Sequence, residues 1–81
     1  MVQAEKLLER MRRRPQGDWT ITDVESVCRW AGLHCESPSR GSHYKVSHAS
    51  TAEILTIPAH RPIKAVYIRR LVQMIDGIQE T

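Results

Sequence analysis

The stretch Arg40-Gly41-Ser42-His43-Tyr44-Lys45-Val46 gathers an imidazole, two cations, a hydroxyl and a glycine into one short segment. An unperturbed imidazole titrates near ~6.5, so an exposed histidine can give or take a proton at neutral pH. Such transfers are worth roughly 10²–10⁴-fold in rate. RNA suits this kind of group because it carries its own nucleophile, the ribose 2′-hydroxyl. Cleaving it without a metal needs only proton transfer and stabilisation of charge at phosphorus. His43 is the candidate for the first task. Lys45 and Arg40 can offset phosphate charge, Gly41 gives the backbone freedom for a close approach, and Ser42 supplies a small donor. One histidine cannot easily serve as both acid and base in a fast enzyme, so a modest rate is expected. The plainer alternative is that His43, one of four histidines, is an ordinary solvated strand residue,.

The other chemistries are poorly provided for. His43 and His48 are five positions apart, which on a strand puts them on opposite faces,. Cys28 and Cys35 are separated by six residues, outside the two to four usual in a structural zinc site,. The nine acidic residues are scattered with no D-x-D pair, so a two-metal nuclease lacks its ligands,. There is no phosphate-binding glycine loop, no G-x-S-x-G and no H-E-x-x-H,. No metal and no cofactor are expected.

The elements that must position these residues follow from periodicity. Residues 2–14 carry the apolar stripe Ala4, Leu7, Leu8, Met11, with Arg12, Arg13 and Arg14 in the last turn and Pro15 as the stop,. Pro15-Gln16-Gly17-Asp18 reads as a turn. Thr22 and Glu25 fit a capping box, Val24, Val27, Cys28 and Ala31 continue a stripe, and Gly32 suits a left-handed end,. A second helix is thus expected over residues 23–31, with Cys28 a small core residue. Leu33 to Ser37 reads as a short strand with Leu33 and Cys35 on one face, followed by hairpin chemistry through Gly41. The strand from residue 42 to 47 places Tyr44 and Val46 inward and His43, Lys45 and Ser47 outward,. A third strand is expected over residues 53–57, ended by Pro58. A last helix is expected over residues 64–76, with stripe Ala65, Ile68, Leu71, Val72 and Ile75 and a stop at Gly77. Residues 1–17 form an additional N-terminal helix and residues 18–81 the remainder of a single compact domain. The class is α+β: a three-stranded antiparallel sheet with helices on one face and the other face wet. From residue 18 onward the order α-β-β-β-α is that of double-stranded-RNA-binding folds.

Charge and size set further bounds. A chain of 81 residues holds a small core, so a site must lie at the surface or in a shallow groove,. The net charge of +3 is compatible with a polyanionic partner,. Arg61, Lys64, Arg69 and Arg70 could track a phosphate backbone. The two cysteines show no disulfide framework, the first fifteen residues show no signal-peptide core, and no apolar run reaches the ~20 residues needed to span a bilayer,. A reduced, cytoplasmic setting is expected, with no membrane partner. Strands separate the later helices, so a helix-turn-helix contact with DNA is not expected.

At Gly41-Ser42-His43, followed by a strand, by Leu55-Thr56-Ile57-Pro58 and by a basic last helix, the sequence resembles the HicA toxins, mRNA interferases of HicA–HicB toxin–antitoxin systems. The resemblance covers roughly residues 20–78. It implies a double-stranded-RNA-binding-like fold and cleavage of mRNA through the histidine of that motif, which on this chain is His43. It also implies a HicB-like antitoxin partner that covers the active site, with any contact to DNA made only through that antitoxin. The set expected to contact RNA is Arg40, Gly41, Ser42, Lys45, Arg61, Lys64 and Arg70. The chain departs from the compact family pattern in its N-terminal helix and in the loop His48-Ala49-Ser50-Thr51-Ala52, which lacks a short Asp-Gly turn. A noncatalytic RNA-binding module on the same fold is the competing reading.

Overall fold

The computed structural model describes residues 2–79. They form a small α+β domain in the order α1 (Gln3–Arg13), α2 (Ile21–Ala31), β1 (His34–Glu36), β2 (His43–Ser47), β3 (Leu55–Pro58) and α3 (Ala65–Gln79). The strands make one antiparallel sheet in the order β1-β2-β3. α2 packs against β1 and α3 against β3, while α1 packs on α2 and α3. All three helices thus lie on one side of the sheet.

The N-terminal helix is part of the interior. Leu7, Leu8 and Met11 are buried in the same apolar cluster as Val24 and Val27 of α2, Val46, Leu55 and Ile57 of the sheet, and Ile68, Leu71 and Ile75 of α3. This stripe drives α1 onto its neighbours, because burying each large apolar side chain is worth about 1.5–3 kcal/mol. Arg12 adds a surface tie, its guanidinium donating to Glu9 on its own helix and to Asp76 on α3.

α2 begins one half-turn earlier than the Thr22–Glu25 pair suggests. Thr20 is the N-cap: its Oγ1 accepts from the Asp23 N–H at 3.3 Å, and the Asp23 carboxylate accepts from the Thr20 N–H at 3.1 Å. Both tetrads read Thr-x-x-acid. The first wins because Trp19 is buried and its carbonyl accepts from the Ile63 N–H at 2.9 Å, which holds the chain extended as it enters Thr20. At the other end Gly32 adopts φ 81°, and the Leu33 N–H reaches back to the Cys28 carbonyl at 2.8 Å,.

Two further boundaries differ from the periodic reading. β3 starts at Leu55, not residue 53, because the Thr51 hydroxyl captures the Glu53 N–H at 3.2 Å and Ile54 turns out to solvent, 62% exposed. Pro58 belongs to the strand, opposite His43. β3 is an edge strand, where a missing N–H is tolerated. α3 runs through Gly77 to Gln79. Ile75 is buried and Ile78 packs against the core, so continuing the stripe outweighs the ~1 kcal/mol that a helical glycine costs,.

The alternation of β2 is as expected. Val46 is buried and Tyr44 half-buried on the helical side, while His43 and Lys45 are exposed on the open side. Among the described residues no helix is long and apolar enough to cross a membrane.

Candidate active site

The open face of the sheet is built by three registers. His34 stands opposite Ser47, Glu36 opposite Lys45 opposite Thr56, and His43 opposite Pro58. The connection from β1 to β2 rises beside this face, and with it forms a groove of about 370 Å³. Its walls are Glu36, Ser37, Pro38, Ser39, Arg40, His43 and Lys45. Arg40 and Lys45 bring two positive charges to it and Glu36 one negative charge, with the His43 ring exposed among them.

Gly41 makes this arrangement possible. It has φ 78°, a left-handed conformation that costs a residue with a Cβ roughly 1–2 kcal/mol,. A Cβ built there would meet nothing within 4 Å, so conformation and not space selects glycine. The turn delivers Ser42 and His43 to the start of β2. There the Ser42 carbonyl accepts from the Ala59 N–H at 2.8 Å, which extends the pairing with β3 by one step.

On the β3 side, the Ser42 hydroxyl lies 3.4 Å from Nε2 of His60. His60 borders a second, smaller hollow of about 120 Å³ with Pro58, Pro62, Lys64 and Tyr67. A second imidazole therefore stands beside the residue that precedes His43.

No family model, curated protein or solved structure matches this chain.

The residues expected at the site separate into three groups. Arg40, His43 and Lys45 share the groove, with Gly41 and Ser42 holding its edge. Lys64 lines the second hollow together with His60. Arg61 and Arg70 stand apart. The Arg61 guanidinium is gripped by both oxygens of Asp18, at 3.1 and 2.8 Å, and this pairing holds the Asp18 carboxyl below its usual value. Arg70 is exposed on α3 and lines neither hollow.

Two groups were not found from the residue pattern, Glu36 and His60. Glu36 sits at the end of a short strand with no neighbouring carboxylate, and only the register with Lys45 brings it to His43. Counting inward from the strand ends would set Glu36 opposite His43, whereas the observed register is offset by two residues and sets it opposite Lys45. His60 reaches the motif because the chain leaves β3 alongside Ser42, a tertiary relation that no spacing encodes.

Metal chemistry has no ready ligand set here. Among the described residues no group of three or more His, Cys, Asp or Glu side chains is placed to hold an ion. His48 faces a turn of its own, where Nδ1 lies 2.8 Å from the Ser50 hydroxyl and accepts the Ser50 N–H at 3.0 Å. Cys28 is buried and its thiol is pushed up to about 12, first by desolvation and then by neighbouring Cys35. It is a core residue and no nucleophile at neutral pH.

What remains is a shallow, open groove with a proton-transfer group, two cations and one carboxylate. Such a groove can receive a phosphodiester: the cations offset its charge while an imidazole exchanges a proton with an ester oxygen.

Proposed function

We propose that this protein is a metal-independent endoribonuclease with His43 as its catalytic side chain, and that it is the toxin of a type II toxin–antitoxin system. The observation that carries the reading is the exposed His43 ring in a groove it shares with Arg40 and Lys45. The α2-β1-β2-β3-α3 order, with the helices on one side, is compatible with a double-stranded-RNA-binding-like frame, and the resemblance to HicA toxins at Gly41-Ser42-His43 points the same way. On this reading Arg40, Gly41, Ser42 and Lys45 contact the RNA at the cleaved linkage. Lys64 and Arg70 meet its backbone further off, and Arg61 joins them only if its pairing with Asp18 opens. The substrate is mRNA in the cytoplasm. A HicB-like antitoxin neutralises the protein by covering the open face of the sheet, and DNA is approached only through that antitoxin.

The deciding experiment is cleavage of RNA by purified protein in EDTA, compared with His43→Ala. His43 is exposed, so the variant should fold and melt as the parent does. A loss of roughly 10² or more in rate is expected, the scale of acid–base catalysis. Equal cleavage by both proteins rejects the assignment. Tight RNA binding without cleavage, indifferent to His43→Ala, would establish the noncatalytic module instead. In cells, induction without a partner should arrest growth, His43→Ala should relieve the arrest, and a small antitoxin should co-purify.

A further inference from the structure

A single imidazole leaves half of the proton inventory of RNA cleavage unfilled. One group must remove the 2′-hydroxyl proton, and another must protonate the departing 5′-oxygen. The groove contains a second proton-transfer group in the right relation to His43. Glu36 is opposite Lys45 across the β1–β2 ladder, and His43 is two residues before Lys45. Glu36 and His43 are therefore diagonal neighbours on the open face, a relation that sets residues on the order of 7–8 Å apart, and their Cβ atoms somewhat closer. Both side chains line the same groove. This separation leaves room for one phosphodiester between a carboxylate and an imidazole, with the Lys45 ammonium beside both.

We infer that Glu36 is the general base and His43 the general acid of a paired site. This rests on the reading of the protein as a metal-independent ribonuclease. The Glu36 carboxylate takes the proton of the 2′-hydroxyl, and the 2′-oxygen forms its bond to phosphorus as the bond from phosphorus to the 5′-oxygen breaks. The leaving oxygen takes its proton from the His43 imidazolium. The products are a 2′,3′-cyclic phosphate and a free 5′-hydroxyl. No water and no electron is consumed, and the proton left on Glu36 and the one lost by His43 are exchanged with solvent. The roles follow from residue type. Near neutrality a carboxylate is poised to accept and not to donate, whereas an imidazole populates both forms. Lys45 and Arg40 meet the charge that grows on the non-bridging oxygens.

The groups that face Glu36 are all cationic or potentially so. His34, on the same strand, has its Nε2 3.9 Å from the carboxylate. Lys45 is directly across on β2, and Arg40 and His43 stand along the groove. They attract the phosphate that the carboxylate alone would repel.

The test uses the full chain and a synthetic single-stranded RNA in EDTA, with cleavage rates measured from about pH 4 to about pH 9 for the parent, Glu36→Gln, Glu36→Asp and His43→Ala. The Glu36 side chain is 63% exposed, so Glu36→Gln should leave the melting temperature unchanged. The parent should give a bell-shaped profile. Glu36→Gln should lose roughly 10²–10⁴-fold at the plateau together with the limb on the acidic side, as removal of a general base requires. Glu36→Asp should keep that limb at reduced rate. Product ends should carry the cyclic phosphate by mass spectrometry, and an RNA with 2′-deoxyribose at the cleaved position should resist. If Glu36→Gln cleaves at the parental rate with its acidic limb intact while His43→Ala is inactive, the pairing is wrong and the ribonuclease reading survives. If the folded parent cleaves no RNA at any pH, the ribonuclease reading falls and the pairing with it.

Discussion

Two glycine-to-alanine substitutions should move the stability of this domain in opposite directions. Gly41 has φ 78°, and an alanine there would either hold a left-handed conformation or distort the turn that leads into β2. Its Cβ would meet no atom within 4 Å, so the cost is conformational alone, about 1–2 kcal/mol,. Gly77 lies inside α3 with no such constraint, and its added Cβ also meets open space. Alanine at that position should stabilise by about 0.5–1 kcal/mol, because it narrows the unfolded ensemble and favours helix. For a domain this small, 1 kcal/mol shifts the melting temperature by about 4–8 °C. Gly41→Ala should therefore melt lower by roughly 4–16 °C and Gly77→Ala higher by roughly 2–8 °C. Thermal unfolding by circular dichroism, with urea titration as a second probe, measures both. Because Gly41 sits two residues before His43, RNA cleavage by Gly41→Ala should fall even well below its melting temperature. A Gly41→Ala protein as stable as the parent would refute the left-handed assignment and, with it, the account of how His43 is delivered to the groove.

Three other outcomes are expected. Met11 is fully buried between α1 and the rest of the core, so Met11→Ala should cost about 2–5 kcal/mol,. That is a large share of the roughly 4–12 kcal/mol typical of a chain this long. Urea titration would show it, and a negligible loss would mean α1 is an appendage. The Arg61 pairing lowers the Asp18 pKa in the folded state, so its stabilising effect is present above the ordinary carboxylate value of 3.8 and is lost as pH falls through the lowered folded value,. The stability difference between parent and Asp18→Asn should accordingly vanish at strongly acidic pH and shrink in high salt, and a difference that persists unchanged would reject the ion pair as its source. Cys28 is raised from 9.0 to about 12, so the native state retains the proton that the unfolded chain loses in that interval,. Stability should decline as pH rises from about 9 towards about 12 in the parent but less in Cys28→Ala. At neutral pH iodoacetamide should label Cys35, half-buried, well before Cys28.

Much of this architecture was legible because burial forces periodicity. The stripes Leu7-Leu8-Met11 and Ile68-Leu71-Val72-Ile75, and the alternation of Tyr44 and Val46 against His43 and Lys45, each reflect one face turned to the core. Boundaries were less legible where two local solutions competed. Thr20–Asp23 and Thr22–Glu25 offer equivalent caps, and a hydrogen bond between Ile63 and Trp19, far apart in sequence, decides between them. Gly77 reads as a stop only when the packing of Ile78 beyond it is unknown. For the site, the contiguous half was visible in Arg40 to Lys45, since one turn and one strand position it. Glu36 depends on strand register, His60 on the path of the chain after β3, and the engagement of Arg61 on Asp18, 43 residues earlier.

The loop between β3 and α3, which carries His60 and Lys64, is moored from behind by residues that precede α2. Asp18 holds Arg61 and the Trp19 carbonyl holds the Ile63 amide. Trp19 is itself anchored to the end of α1, its indole N–H donating to the Arg14 carbonyl at 2.9 Å. Trimming the chain back to α2, the sheet and α3 would thus remove Asp18 and Trp19 and with them the ties that hold this loop. A shortened version could keep its strands and still present a slackened rim beside Ser42.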